Sequence, residues 1–305
     1  MITSVNEFES VVRAGTALSR AQAEALLASP DLIGVGLLGE MARRAVTGER
    51  VTYGRVLLVA AGQAIGPVTD AGEVRLTGAA GSIDMARRRV REARGHVGNA
   101  VLTGFSLADL LNLAGSDHLA LAEIAAALQS DGLEAIAEAP LDGLGDTDNA
   151  IEVIRAVQHG GLPVWRATIA SAAIGGRLDL IDRAVVIQRE TQAFKAFAPL
   201  PMLDPTDAPA TGYDDVRTIA AARLMCRSIA GIQVDWPLYG PKLAQVAIAY
   251  GANDVDGVAA NAPQDLGPRR SPREEIERQI RAAFAEPVER NGRYELRGPE
   301  TGPKS

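Results

Sequence analysis

From Val51 to Gly257 the chain repeats one pattern, a short apolar or β-branched run followed by an amphipathic segment. "VTYGRVLLVAAG", "GEVRLTG", "VGNAVLTG", "LEAIAEAP", "LPVWRATIASA", "AFKAFAPLP", "IQVDWPLY" and "ANDVDG" read as strands. "SIDMARRRVREARG", "NAIEVIRAVQHGG", "LDLIDRAVVIQRETQ", "YDDVRTIAAARLMCRSIAG" and "PKLAQVAIAYG" carry helical spacing, as does a longer stretch from Leu107 that is broken near Gly115. Regular β-then-α alternation with no break in composition predicts a single parallel α/β domain. A count of about eight strands favours a closed TIM-type barrel over an open sheet.

Around that core the reading places an N-terminal helical layer over residues 1–50 and the barrel over 51–257. Residues 258–305 are read as a loop, a covering helix and a tail, all within one domain. In the last segment Ser271, Pro272 and Glu274 form the N-cap, N1 and N3 of a capping box. With 47% hydrophobic residues the chain can build a full core, and a net charge of −7 argues against a general nucleic-acid binder. No apolar run approaches the roughly 18 residues of a membrane span. The start, "MITSVNEFESVV", lacks a basic and then apolar leader, so a soluble, cytoplasmic protein is expected. One cysteine, Cys226, excludes an internal disulfide and a cysteine-built metal site.

The stretch "VRTIAAARLMCRSIAGIQVDWPLYGPKLAQVAIAYGANDVDG" resembles the last third of the radical S-adenosylmethionine enzymes of the futalosine route to menaquinone. Aminofutalosine synthase and dehypoxanthine futalosine cyclase are the nearest members, with the deazaflavin-precursor synthases behind them. "AFKAFAPLP", "REEIERQIRAAFAEPVERNGRYELR" and "LLGEMARRAVTGERVTYGR" resemble further segments of that family in order. The resemblance implies a radical-S-adenosylmethionine-like barrel. It also implies three cysteines, spaced C-x3-C-x2-C, after the first strand to hold a [4Fe–4S] cluster. Here that stretch is "RVLLVAAGQAIGPVTDAGEVRLTG", without a cysteine and too short for a crossover helix. Gly66, Pro67 and Gly72 predict a turn in its place, so the first βα unit is shortened. The family's cofactor glycines are only partly echoed by Gly78 and Gly81, which puts S-adenosylmethionine binding in doubt. No cofactor, no iron–sulfur cluster and no metal are expected.

Other motifs carry less. "GVGLLG", residues 34–39, matches a dinucleotide fingerprint but follows no strand and reads as helix. The arginines of "MARRRVREARGH" read as a solvated helix face. His96, His118 and His159 are scattered without metal-ligand spacing. There remains a set of polar residues at expected strand ends: Glu138, Arg166, Asp235, Trp236, Asn253 and Asp254, with Asp256 beside them. Barrel enzymes hold ligands at the C-terminal mouth, so these residues are the candidate ligand site, with Trp236 offering a stacking face to a purine.

Two functions follow as expectations. The first is a non-catalytic ligand-binding or partner protein of futalosine-dependent menaquinone synthesis, a pseudoenzyme taking a nucleoside-like ligand or pairing with a catalytic homologue, as a homo- or heterodimer. The second is a non-radical acid–base enzyme, lyase- or hydrolase-like, on a futalosine-type nucleoside. A weaker third has the cluster completed by another chain. Whether the chain is an enzyme is left open by the residues alone.

Overall fold

A computed structural model describes residues 6–66, 68, 70–171, 174–201, 212–260 and 273–297. Three helices come first, α1 (Asn6–Arg13), α2 (Arg20–Leu27) and α3 (Leu32–Thr47). Then β1 (Arg50–Val59), β2 (Glu73–Leu76), α4 (Ile83–Arg94), β3 (Val101–Ser106), α5 (Leu107–Leu113) and α6 (His118–Ser130) follow. The barrel continues through β4 (Ala135–Pro140), α7 (Thr147–His159), β5 (Arg166–Ile169), α8 (Ile174–Thr191) and β6 (Ala196–Pro199). It closes with α9 (Gly212–Met225), β7 (Gly231–Asp235), α10 (Trp236–Ala249) and β8 (Asp254–Ala259), and α11 (Arg273–Ala282) and β9 (Glu286–Arg290) end the series. Short polar side chains start many of the helices: Asp31, Ser82, Asp117, Asp146 and Asp235 each accept a backbone N–H of the first turn. Ser271 and Pro272 of the expected capping box lie outside the described residues.

Strands β1 to β8 pair in parallel in sequence order, and β8 returns to β1. The expected barrel is therefore closed by eight strands, with its helices outside. The connection from β1 to β2 contains no helix among the described residues, as its length predicts. It is tied down by an ion pair between Asp70 and Arg55 and by the Val68 N–H on the His96 carbonyl. On the outer face of β1 lies α11, where the Tyr53 hydroxyl donates to Glu277 at 2.6 Å and Arg273 donates to the same oxygen at 2.9 Å.

The strand β9, which sequence reading did not anticipate, changes the barrel floor. The upper half of β1 pairs with β2 (Val56 with Glu73 through Val59 with Leu76), while its lower half pairs with β9 (Arg50 with Glu286 through Gly54 with Arg290). One edge of β1 is thus shared between two strands. The insertion delivers Arg290 into the barrel interior, where it is 1% exposed. Gly54 makes room for it: a Cβ there would sit 2.6 Å from Arg290 Nη1. The glycines of "GVGLLG" also have a packing reason, since a Cβ on Gly39 would lie 2.2 Å from the Tyr250 carbonyl oxygen at the end of α10. That stretch is helix, as its register indicates.

Charged residues stand where barrels usually stack branched apolar ones. Arg290 donates to both oxygens of Asp254, at 2.5 and 2.7 Å, and reaches Asp256 at 3.5 Å. Arg75 is held bidentately by Glu73 (2.8 and 3.1 Å) and by Asp256 (2.7 and 3.1 Å). Removing one member of such a buried network strands its partners. Arg290→Met should therefore lower unfolding free energy by about 3–5 kcal/mol. Arg281→Ala, which breaks an exposed helix pair with Glu277, should cost no more than about 1 kcal/mol. Urea unfolding of both variants measures the contrast, and equal midpoints would refute the role given to Arg290.

Candidate functional site

The register of β8 decides where the polar residues of "GANDVDG" go. Asp254 pairs with Gln233 and Asp256 with Asp235, so the segment begins the strand and runs upward from the floor. The placement of Asn253 and Asp254 at a strand tip near the mouth is thereby corrected. Asn253 lies just before β8, accepting from the Ile232 N–H at 2.8 Å and from Arg223, and donating to the Ala230 carbonyl at 3.0 Å. It stitches the starts of β7 and β8 together. Asp254 belongs to the floor, bound by Arg290, by the Thr52 hydroxyl at 2.6 Å and by the Gln233 amide at 2.9 Å. Asn and Asp ahead of an apolar run were read as ending an element, whereas here they begin one.

Trp236 is also corrected. Asp235 faces inward and caps α10 by accepting the Leu238 N–H at 3.0 Å, so its successor turns outward beneath that helix. Trp236 is 0% exposed and offers no stacking face, and its indole N–H has no hydrogen-bond partner.

The structure does bring together Glu138, Arg166, Asp235 and Asp256. Arg166 is anchored through Nε to the Gln233 side-chain oxygen at 2.6 Å. Its two terminal nitrogens face Glu138 at 3.6 Å, Asp256 at 3.6 Å and Asp235 at 4.0 Å. None of these is a close, direct pairing of the kind seen at the floor. Asp256 is itself tied by Arg75. A bulge places it: between Tyr53 and Arg55 of β1 lies one residue, and between their partners Val255 and Val258 lie two, with Gly257 at φ 74°.

Thr168 follows Arg166 by two residues and shares its inward face, roughly 6–7 Å farther along the strand. It is 0% exposed and its hydroxyl has no hydrogen-bond partner. Asp109, in the first turn of α5 after β3, completes the acidic rim. Burial raises its carboxyl above the ordinary range and the charge of Glu138 adds to the effect. Burial likewise raises Asp235, against the opposing pull of Arg166. Asp256 goes the other way: burial opposes ionisation, but Arg75, Arg166 and Arg290 together hold it well below the usual carboxylate range. Sequence reading missed Thr168, Arg75, Gln233, Asp109 and Arg290. The signal for three of them was present as inward-facing polar pairs two residues apart, Glu73 and Arg75, Arg166 and Thr168, Gln233 and Asp235.

Arginines of α4 pair at the surface. Arg87 and Arg91 of α4 bind Asp131, and Arg94 binds Glu134. No helix among the described residues is long and apolar enough to cross a membrane, and no group of three or more His, Cys, Asp or Glu among them could hold a metal ion.

The architecture is a closed eight-stranded parallel (β/α) barrel. Methylornithine synthase (PylB) superposes with a TM-score of 0.66 at 14% identity, covering 93% of this chain and 97% of that one. The FeFe-hydrogenase maturase HydG from Carboxydothermus hydrogenoformans gives 0.63 at 11%, covering 93% and 79%. At such identities the likeness speaks for the fold alone. Residues 198–301 match the family model described as the CofH/MqnC C-terminal region. The 5-amino-6-(D-ribitylamino)uracil--L-tyrosine 4-hydroxyphenyl transferase of Methanothermobacter thermautotrophicus is 35% identical over 168 residues, covering 48% of this chain and 45% of the relative. The aminodeoxyfutalosine synthase of Streptomyces coelicolor is 32% identical over 148 residues, covering 42% and 38%. The matched part of the chain thus spans less than half the length of either relative. The resemblance to the futalosine-route radical enzymes, read first from sequence, is shown.

That fold family implies an iron–sulfur cluster on cysteine thiolates after the first strand. The donor set does not fit. The β1–β2 connection carries no thiol, and the single cysteine, Cys226, is buried just past α9 with its sulfur 3.9 Å from the Ile181 carbonyl. Burial pushes its thiol up to about 12, so it is neutral at physiological pH. A thiol reagent at pH 8 should leave the native protein unmodified and label one site after denaturation; fast native labelling would contradict the burial.

A second outcome follows from Asp235. Its carboxyl is raised on folding, so its contribution to stability is present below the unfolded value near 3.9 and is lost as pH rises through the folded value. Asp235→Asn keeps a helix cap and removes that penalty. The variant should be at least as stable as wild type at pH 7, and a large loss of thermal stability would show that Asp235 is a structural charge.

Proposed function

We propose that this chain is a barrel of the radical-S-adenosylmethionine type that has lost the cluster and serves as a ligand-binding or partner protein linked to futalosine-dependent menaquinone synthesis. The observation that carries this reading is a contrast within one chain. Residues 198–301 keep the family's C-terminal pattern, while the β1–β2 connection has no thiolate to offer iron. The ligand would enter at the mouth and engage Glu138, Arg166, Thr168 and Asp235, groups suited to the hydroxyls and amines of a nucleoside-type molecule. Its flat part would not stack on Trp236, which is buried. The same barrel could dock a catalytic relative and deliver or receive an intermediate.

One observation favours a second reading, an acid–base enzyme on the same class of ligand. Asp235 is a carboxyl raised by burial, and the Arg166 guanidinium that faces it also faces Glu138. A carboxyl raised in this way is a candidate proton donor or acceptor. Turnover abolished by Asp235→Asn with binding retained would separate this reading from the first.

The test has two arms. Anaerobic reconstitution with iron and sulfide should give far less than one cluster per chain, and stoichiometric incorporation would overturn the cluster-less reading. Calorimetric titration with futalosine, aminodeoxyfutalosine and adenosine should detect binding to at least one. Thr168→Val and Asp235→Asn should each weaken it by about tenfold or more, the scale of one charged or buried hydrogen bond. A folded wild type that binds none of the three rules out a nucleoside site at the mouth.

A further inference from the structure

The polar groups at the mouth are unevenly matched. Among the described residues there, Arg166 stands against Glu138 and Asp235, with Asp109 beside Glu138. Asp256 does not enter the balance because Arg75 holds it in two hydrogen bonds. Arg166 must then serve Glu138 and Asp235 with one positive charge, at 3.6 and 4.0 Å. The wall between them carries an acceptor as well, the Thr168 hydroxyl, which is fully buried and without a partner.

We infer that the mouth recognises a primary ammonium group, so that its ligand is an amine-bearing small molecule and not a neutral or anionic one; the inference rests on the ligand site proposed above. An ammonium brings three N–H donors and one positive charge. Glu138, Asp235 and Thr168 bring three acceptors and an excess of negative charge. An anion is disfavoured: the one guanidinium it would seek is already faced by three carboxylates. A bare divalent ion is disfavoured too, because no cluster of three or more metal-ligating side chains exists among the described residues. A neutral polyol could satisfy Thr168 but would leave the surplus charge on Glu138 and Asp235 in place. Bringing an opposite charge to buried carboxylates is what relieves it.

The experiment compares shape-matched probes of different charge. Calorimetry would measure 5′-amino-5′-deoxyadenosine against adenosine, and tyramine against 4-hydroxyphenethyl alcohol. The amine of each pair should bind at least about tenfold more tightly. Glu138→Gln and Asp235→Asn should each erase most of that preference, and Thr168→Val should weaken the amines, with thermal melting confirming that all three variants fold. If adenosine binds as well as its amine, the mouth remains a nucleoside site and the ammonium inference fails. If the amines are preferred but both carboxylate variants keep the preference, the cation is held elsewhere and the inference fails as well. If no probe binds, the inference and the ligand-site reading fall together.

Discussion

A guanidinium in a barrel core has to be answered by carboxylates, and much of this molecule's interior follows from that demand. Arg290 enters from below on β9 and closes on Asp254 at 2.5 and 2.7 Å. Arg75 closes on Glu73 and Asp256 from the second strand. Desolvating these charges costs several kcal/mol each, and only short bidentate geometry offsets it. Such geometry exists at the floor and thins out upward. At Arg166 the carboxylate contacts have lengthened to 3.6–4.0 Å, and one level higher a buried hydroxyl has no partner. The interior therefore grades from saturated at the bottom to unsaturated at the top.

The same view explains why the C-terminal segment belongs to the barrel. β9 occupies the lower half of an edge of β1 that β2, starting only at Glu73, does not reach. Below β9 the chain folds back: the Arg297 N–H donates to the Glu289 carbonyl at 2.8 Å, and the Tyr294 ring lies 4.2 Å from the Arg290 guanidinium. The tail thus supplies both a missing stretch of sheet and the cation that neutralises Asp254. A helix-less first connection is compatible with a closed barrel because α11 shields the outer face of β1 and the loop is pinned by Asp70. What this leaves is a closed barrel whose first connection has no helix among the described residues.

The fold was legible because periodicity reports on it directly: strands alternating with amphipathic helices give the barrel, and the deficit between Val59 and Glu73 gives the shortened unit. The site was legible only in part, for a geometric reason. Polarity near a strand does not reveal which end of the strand it marks. Asp235 ends β7 and Glu138 lies within β4, whereas Arg166 opens β5 and reaches both only through its side chain, and Asn253 and Asp254 stand at the start of β8. The direction is set by the partner: Gln233 fixes Asp254 low and Asp235 fixes Asp256 high, a register no single segment contains. Trp236 failed for a neighbouring reason, since one residue's shift across the end of β7 moves a side chain from the lumen to the underside of a helix. β9 was hidden because "EPVER" is short and charged, and its pairing is decided by Arg290 finding Asp254 some 36 residues away in sequence.

Thr168 is where structure and function are joined most directly. A buried hydroxyl without a partner costs about 1–3 kcal/mol, and a valine would fill the same volume without that cost. Nothing in the fold compensates it, because its neighbours across the sheet, Pro140 and Ala198, present no acceptor or donor side chain. The loose contacts of Arg166 have the same character: a guanidinium able to lock onto one carboxylate instead stands between three. A core selected only for stability would have resolved both, as it did at Arg290. Their coexistence on one inward face of β5 is the ground for proposing binding capacity there. The charge left over there, with carboxylates outnumbering guanidiniums, gives that capacity a sign.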